Sequence, residues 1–301
     1  MRPGGPTHQV GPLRIAGFEH PTKVRHTIDA TLNSRHTPAA RLIRQSFPAR
    51  QTMKTVVFCI TFIGAMILTL SDSCFAQRSD SGPGKQVEQS FATSDGGTIS
   101  YLLYLPKNYD SAKKSQLILF LHGRGESYGP LSLVAKWGPP QFAARGDELP
   151  YVLVSPQCPG DDSWAKPTQQ KRLIELLDHI VQTHSIDEDS MCLTGLSMGG
   201  YGSWRMAADH PGRFASVVPV CGGGDPGDAE KLKGLPIWVF HGDQDSAVPF
   251  QHSVDMVNAI KKAGGTKIRF TSLEHIGHNC WSATYATPEL FQWVSAQKII
   301  R

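Results

Sequence analysis

Two apolar patterns alternate along residues 99–298. Short continuous runs, ISYLLYLP (99–106), QLILFLH (116–122), YVLVSPQ (151–157), SMCLTG (190–195), FASVVPVC (214–221), PIWVFHG (236–242) and TKIRFTSL (266–273), mostly lack a polar face. Strands covered on both sides read this way. Between them, residues 167–183 place Leu173, Leu176, Leu177 and Ile180 on one helical face, and 197–209, 249–263 and 288–298 are further helical candidates. Strand–helix alternation with short connections implies right-handed crossovers and a mostly parallel sheet. The expectation is a single α/β domain over 95–301, with helices on both faces of the sheet. Only about 14 residues separate Cys221 from the run at Pro236, which leaves no room there for a lid domain.

The pattern is different before residue 95. Residues 77–94 open with a polar, Gly/Ser-rich QRSDSGPGKQ and read as a flexible lead-in. Residues 53–76 combine Lys54, an apolar stretch from Val56 to Leu70 and a small-residue ending at Ala76, the layout of a signal peptide cleaved after Ala76. That makes the expected destination secreted or periplasmic; a membrane anchor over 56–70 is the alternative. Residues 1–52 hold eight Lys/Arg against two acids, with no sustained apolar period, and read as a disordered basic extension or as sequence upstream of a true start at Met53.

Charge has to be read with that leader set aside. The whole chain is +4, but nine of its 30 basic and three of its 26 acidic residues lie in 1–76, leaving 21 against 23. The remainder is slightly acidic and carries no basic stripe, so no nucleic-acid partner is expected. Four of the six cysteines lie beyond residue 76: Cys158, Cys192, Cys221 and Cys280. None forms a C-x-x-C pair, so the spacing predicts no zinc site. In an exported protein the loop cysteines Cys158 and Cys280 are candidates for a disulfide.

In an open α/β sheet, ligands bind beyond the carboxyl ends of the strands. The residues just after the predicted strands are His122-Gly123-Arg124-Gly125-Glu126, Ser197, Asp243 with Asp245, and His275 with His278. Gly195-Leu196-Ser197-Met198-Gly199 fits G-x-S-x-G between a strand and a helix. There a serine on a strained turn needs neighbours without bulk. A serine hydroxyl is a weak nucleophile and needs a base, which needs an orienting acid, here in the chain order Ser, acid, His. Asp245 is preferred to Asp243, which is suited to capping its turn. His278 is preferred to His275, because Gly277 marks a loop tip, and His241 is read as packing at its strand end. The backbone N–H groups of Met198 and Arg124 are the candidate oxyanion donors.

LFLHGRGE, GLSMGGYGSW, VPVCGGGDP, WVFHGDQDSAVP and GHNCW, in this order, resemble the α/β-hydrolase superfamily. The chain is most similar to secreted bacterial esterases of the phospholipase/carboxylesterase and dienelactone-hydrolase-like group, including prolyl-oligopeptidase-type and feruloyl-esterase-like hydrolases. The resemblance covers roughly residues 95–298. It implies a Ser197–Asp245–His278 triad, an acyl-enzyme intermediate and no cofactor. Dienelactone hydrolases use a cysteine nucleophile; position 197 is serine, so their reaction is not implied. The expected substrate is a small-acyl, aryl or carbohydrate-linked ester, with Glu126, Trp164, Tyr201 and Trp281 as candidate substrate contacts and Trp137 assigned to the core. Arg124 and Glu126 are equally suited to pairing with each other. The rival readings are a prolyl-oligopeptidase-type serine peptidase and a catalytically silent binding protein.

Overall fold

The computed structural model describes residues 82–300. The expected basic extension 1–52, the expected signal peptide 53–76 and the start of the expected lead-in lie outside the described residues. Among the described residues, no helix is long and apolar enough to cross a membrane.

Eight strands make one sheet: β1 (Gln86–Ala92), β2 (Thr98–Tyr104), β3 (Leu117–Leu121), β4 (Val152–Pro156), β5 (Cys192–Leu196), β6 (Ser216–Val220), β7 (Ile237–Gly242) and β8 (Ile268–Leu273). Their order is β1-β2-β4-β3-β5-β6-β7-β8, antiparallel where β2 pairs with β1 and β4, and parallel elsewhere. The helices are α1 (Pro139–Ala144), α2 (Pro167–Thr183), α3 (Met198–Asp209), α4 (Ala229–Leu232), α5 (Gln251–Lys262), α6 (Trp281–Tyr285) and α7 (Pro288–Ser295). The continuous apolar runs become the central strands because helices cover both faces. In β3, Leu117, Leu119 and Leu121 join the core with Leu173, Leu176 and Ile180 of α2, Trp204 of α3 and Met256 of α5. Ile118 and Phe120, one position out of phase, join the core with Ala143 of α1, Tyr285 of α6 and Leu290 of α7. This is the period-two split of a strand. Burying each such Leu or Phe side chain stabilises the fold by about 1.5–3 kcal/mol.

Two expectations are corrected. Residues 86–92 are not part of a flexible lead-in; they form the edge strand β1, in register with β2 from Gln86↔Tyr104 to Ala92↔Thr98. The polar sequence QVEQSFA hides this strand because only Val87 and Phe91 pack on the core, Phe91 stacking on His179 at 4.8 Å. The second correction concerns the Cys158–Cys280 disulfide. All four described cysteines are buried free thiols. Cys158 lies in the core with α2 and Cys280 in the core with α1 and α7, so the sheet separates them.

The feature that fixes the active end of the sheet is a backbone-to-backbone contact. A Cβ on Gly199, in the first turn of α3, would collide with the carbonyl of Leu121 at the end of β3. One on Gly195 would lie 2.5 Å from the Gly199 carbonyl oxygen, and one on Gly200 would lie 2.6 Å from that of Val220. These glycines let α3 start hard against three strand ends. Gly199→Ala is therefore expected to lower stability by about 3 kcal/mol or more, because rigid backbone must move. Gly125→Ala, where an added Cβ meets nothing within 4 Å, is expected to change it by about 0.5 kcal/mol or less. Urea denaturation of the two variants measures the contrast.

Candidate active site

Ser197 sits between β5 and α3 at φ 53°, ψ −114°, a left-handed conformation that a non-glycine residue adopts only when its surroundings enforce it. Its N–H donates to the Val220 carbonyl at 2.9 Å, and its own carbonyl accepts from Tyr201 N–H at 3.1 Å. The turn lifts Oγ off the strand end, and there it meets the Nε2 atom of His278 at 2.9 Å. On the other side of that ring, Nδ1 lies 2.7 Å from Asp245 Oδ2. A carboxylate only accepts, so Nδ1 carries the proton and Nε2 is free to accept from the serine hydroxyl.

Asp245 is held from four directions. Oδ1 accepts the N–H groups of Ala247 and Val248, both at 2.9 Å. Oδ2 accepts from His278 and also from His241 Nε2 at 3.1 Å. Burial alone would raise its pKa, but the His278 bond and the Val248 and Ala247 N–H groups hold it below the usual carboxylate range. His241 Nε2 also faces the Val248 carbonyl at 3.1 Å. Two acceptors there require Nε2–H; on its other side Nδ1 lies 2.7 Å from the Ser253 hydroxyl, which also reaches the Gly222 carbonyl at 3.1 Å. Burial lowers the pKa of His241, against the raising effect of the Val248 carbonyl and Asp245. Sequence reasoning placed this histidine at its strand end and missed its bond to the acid. The four-residue spacing of His241 and Asp245 across the turn was the available signal.

The loops after β7 and β8 are laced together, which holds His278 over Ser197. Gln244 N–H donates to the Ile276 carbonyl at 3.0 Å, and His275 N–H donates to Asp243 Oδ1 at 2.8 Å. Gly242 packs so closely under Ile276 and Gly277 that a Cβ would strike both carbonyls. Asp243 and His275 thus brace the turn and stand outside the Ser197–His278–Asp245 line.

Across from these loops, Gly123 brings the segment after β3 against Ser197; a Cβ there would lie 3.7 Å from Ser197 Cβ. His122 beneath it is 1% exposed. It accepts the Cys158 N–H on Nε2 at 2.9 Å, so Nδ1–H donates to the Gly123 carbonyl at 2.6 Å. Its own carbonyl accepts from Trp164 Nε1 at 3.1 Å. Burial brings the His122 imidazole down from 6.5 to about 4. The first N–H groups of a helical turn, here Arg124 and Met198, have no intrahelical acceptor. The Arg124 side chain reaches the carbonyls of Gly160 and Asp162, at 3.1 and 2.6 Å, and does not pair with Glu126.

Of the expected substrate contacts, Trp164 is corrected: it is fully buried beneath the His122 loop and presents no surface to a ligand. Tyr201 is part-exposed, its hydroxyl 2.9 Å from His252 Nδ1. Glu126 is buried beside Gly123, and that burial raises its pKa. Trp281 packs edge-on against His278 at 5.3 Å and against Trp137 at 5.9 Å. Beyond the two tryptophans runs a groove of about 710 Å³ between α1 and α6–α7, bordered also by Phe142, Tyr151 and Phe291. Ser197 does not line it; Trp281 is the wall it shares with the His278 side of the site.

A family model described as "Putative esterase" matches residues 141–270. The chain is 28% identical over 207 residues to the "Probable feruloyl esterase C" of Aspergillus terreus, covering 65% of this chain and 73% of that protein. It is 22% identical over 214 residues to the "Probable dipeptidyl-peptidase 5" of the same fungus, spanning 29% of that protein's length. Among solved structures, a thermostable esterase superposes with a TM-score of 0.64 at 30% identity, covering 71% of this chain and 63% of its own. The strand order, with two antiparallel pairings followed by parallel ones, and the strand–serine turn–helix junction define an α/β hydrolase, and the chain belongs to that superfamily. Within it, the esterase family match and the feruloyl esterase relatives make the chain a carboxylic-ester hydrolase.

The buried imidazole of His122 gives a pH dependence with a definite sign. The unfolded chain takes up its proton near 6.5 and the folded chain only near 4. Its contribution is therefore full above about pH 6.5 and is lost progressively as the pH falls toward 4. Urea midpoints of the wild type are expected to fall across that window. His122→Gln, less stable at neutral pH by about 1–3 kcal/mol for its broken bonds, is expected to show a flatter slope.

Proposed function

We propose that Ser197 is the nucleophile of ester hydrolysis, His278 its general base and Asp245 the acid that orients the base. The observation that carries this reading is the unbroken line Ser197–His278–Asp245, with bonds of 2.9 and 2.7 Å. In the forward half-reaction, Ser197 Oγ attacks the ester carbonyl while its proton passes to His278 Nε2. Asp245, already ionised, stabilises the imidazolium. The oxyanion that forms accepts from the N–H groups of Met198 and Arg124, in the turn and the loop that Gly123 presses together. His278 returns the proton to the leaving alcohol oxygen, which leaves Ser197 acylated. Water, activated by the same base, then releases the acid.

The substrate class proposed is an aryl or carbohydrate-linked carboxylic ester, with Tyr201 and Trp281 as contacts at the rim of the site. The support is the half-buried aromatic surface flanking His278 and the feruloyl esterase relatives. We place the enzyme outside the cytoplasm on the strength of the signal-like segment 53–76.

Residues 77–301, purified, are expected to hydrolyse methyl ferulate and p-nitrophenyl acetate and to react with a fluorophosphonate probe. Ser197→Ala is expected to lose the labelling and about six powers of ten in kcat. A wild-type protein that neither labels nor turns over any ester overturns the reading. Cleavage of an aminoacyl anilide in preference to the esters moves it to the peptidase class.

A further inference from the structure

Beside the Ser197–His278–Asp245 line is a buried thiol that hydrolysis does not use. Cys221 ends β6 at φ 39° and is fully buried, its N–H tied to the Phe240 carbonyl at 2.8 Å. This position sets its Sγ next to the acid and the base. Cys221 Sγ, a carboxylate oxygen of Asp245 and a ring nitrogen of His278 all lie within 4.8 Å of one another. Cys280, two residues past His278, is also fully buried and lies in the same core as Cys221. No C-x-x-C spacing announces this cluster, because its members come from the ends of three different strands.

A thiolate, a carboxylate and an imidazole form a donor set that calcium and magnesium, which take oxygen ligands, do not select. It suits zinc, with Zn–S near 2.3 Å and Zn–N and Zn–O near 2.0–2.1 Å. Tetrahedral placement at those lengths puts the donors about 3.3–3.6 Å apart, so the widest pair, at most 4.8 Å apart, has to close by about 1.5 Å or less while the Asp245–His278 pair opens from 2.7 Å. The side chains of Asp245 and Cys221 are buried, whereas 26% of the His278 side chain is exposed, which gives an ion a way in past the imidazole.

We propose that Cys221, Asp245 and His278 form a binding site for zinc, or a chemically similar thiophilic divalent ion, whose occupancy switches the hydrolase off. On binding, the Cys221 thiol and His278 Nδ1 release their protons to water and the ion takes both positions. The imidazole no longer donates to Asp245, and its Nε2 turns away from Ser197. The inhibitory half of this proposal rests on the roles proposed for His278 and Asp245; the binding half does not.

Cobalt, which reports thiolate coordination by a near-ultraviolet charge-transfer band, tests binding without any substrate. Reduced wild-type residues 77–301, titrated with cobalt and then displaced by zinc, are expected to show the band at one equivalent and lose it on displacement. Cys221→Ser and Cys221→Ala are expected to lack the band while keeping ester hydrolysis. Half-inhibition by zinc is expected to need at least about tenfold more ion in both variants, the factor by which loss of one donor weakens such a site. A wild type without the band overturns the site, as do Cys221 variants that keep the band or remain as sensitive to zinc. A cobalt band in a protein that turns over no ester upholds the site and rejects the triad reading instead, so the two failures are distinguishable.

Discussion

The contact between the first turn of α3 and the end of β3 is the constraint on which the site depends. Two backbones approach to where no Cβ fits, and the strain at Ser197 is held by that approach. The same contact aims the helix N-terminus, with its unbonded N–H groups, at the space in front of Oγ. It also presses Leu196 and Ser197 against Gly123, so the loop after β3 is positioned by the turn that carries Ser197. Below that loop, His122, Cys158 and Trp164 make a buried polar brace whose donors and acceptors are matched in one tautomer. Half of the site is thus built as a stack: glycine contact, strained serine, loop, brace.

The other half is organised around one carboxylate. Asp245 receives two loop N–H groups on one oxygen and two imidazoles on the other, which keeps it ionised in a place where an unpaired charge would be costly. His241 is buried and also bonded to Ser253, whereas His278 is part-exposed and rests against Trp281.

Most of this architecture was legible in the sequence, for reasons that also mark its limits. The central strands stood out because strands covered on both faces are apolar throughout. The Ser197 turn stood out because close packing demands glycine at fixed offsets. Gly277 separated His278 from His275 because a loop tip and a strand end differ in shape. What stayed hidden depended on neighbours far away in sequence. Strand β1 packs only Val87 and Phe91 on the core, and the three residues between them face solvent as a linker's would. Trp164 looked like pocket lining because an aromatic residue after a strand has the same signature whether it stacks on substrate or supports a loop from beneath. The thiols of Cys158 and Cys280 share loop character but face opposite cores, which no spacing rule records. The bond from His241 to Asp245 became visible only when the turn between them closed.

The lacing of the two loops after β7 and β8 constrains how this enzyme can diverge. Gln244, Asp243, Ile276 and His275 fasten one loop to the other, and Gly242 leaves no slack between them. Adding or removing a residue in either loop would shift His278 relative to Ser197 by a whole residue's length, about 3.3 Å or more, far beyond a hydrogen bond's tolerance. The turn after β6 is exposed from Gly224 to Gly227 and has no part in that lacing. That segment can therefore be lengthened and recoloured by descendants of this chain, while the loops that bear Asp245 and His278 are passed on at fixed length.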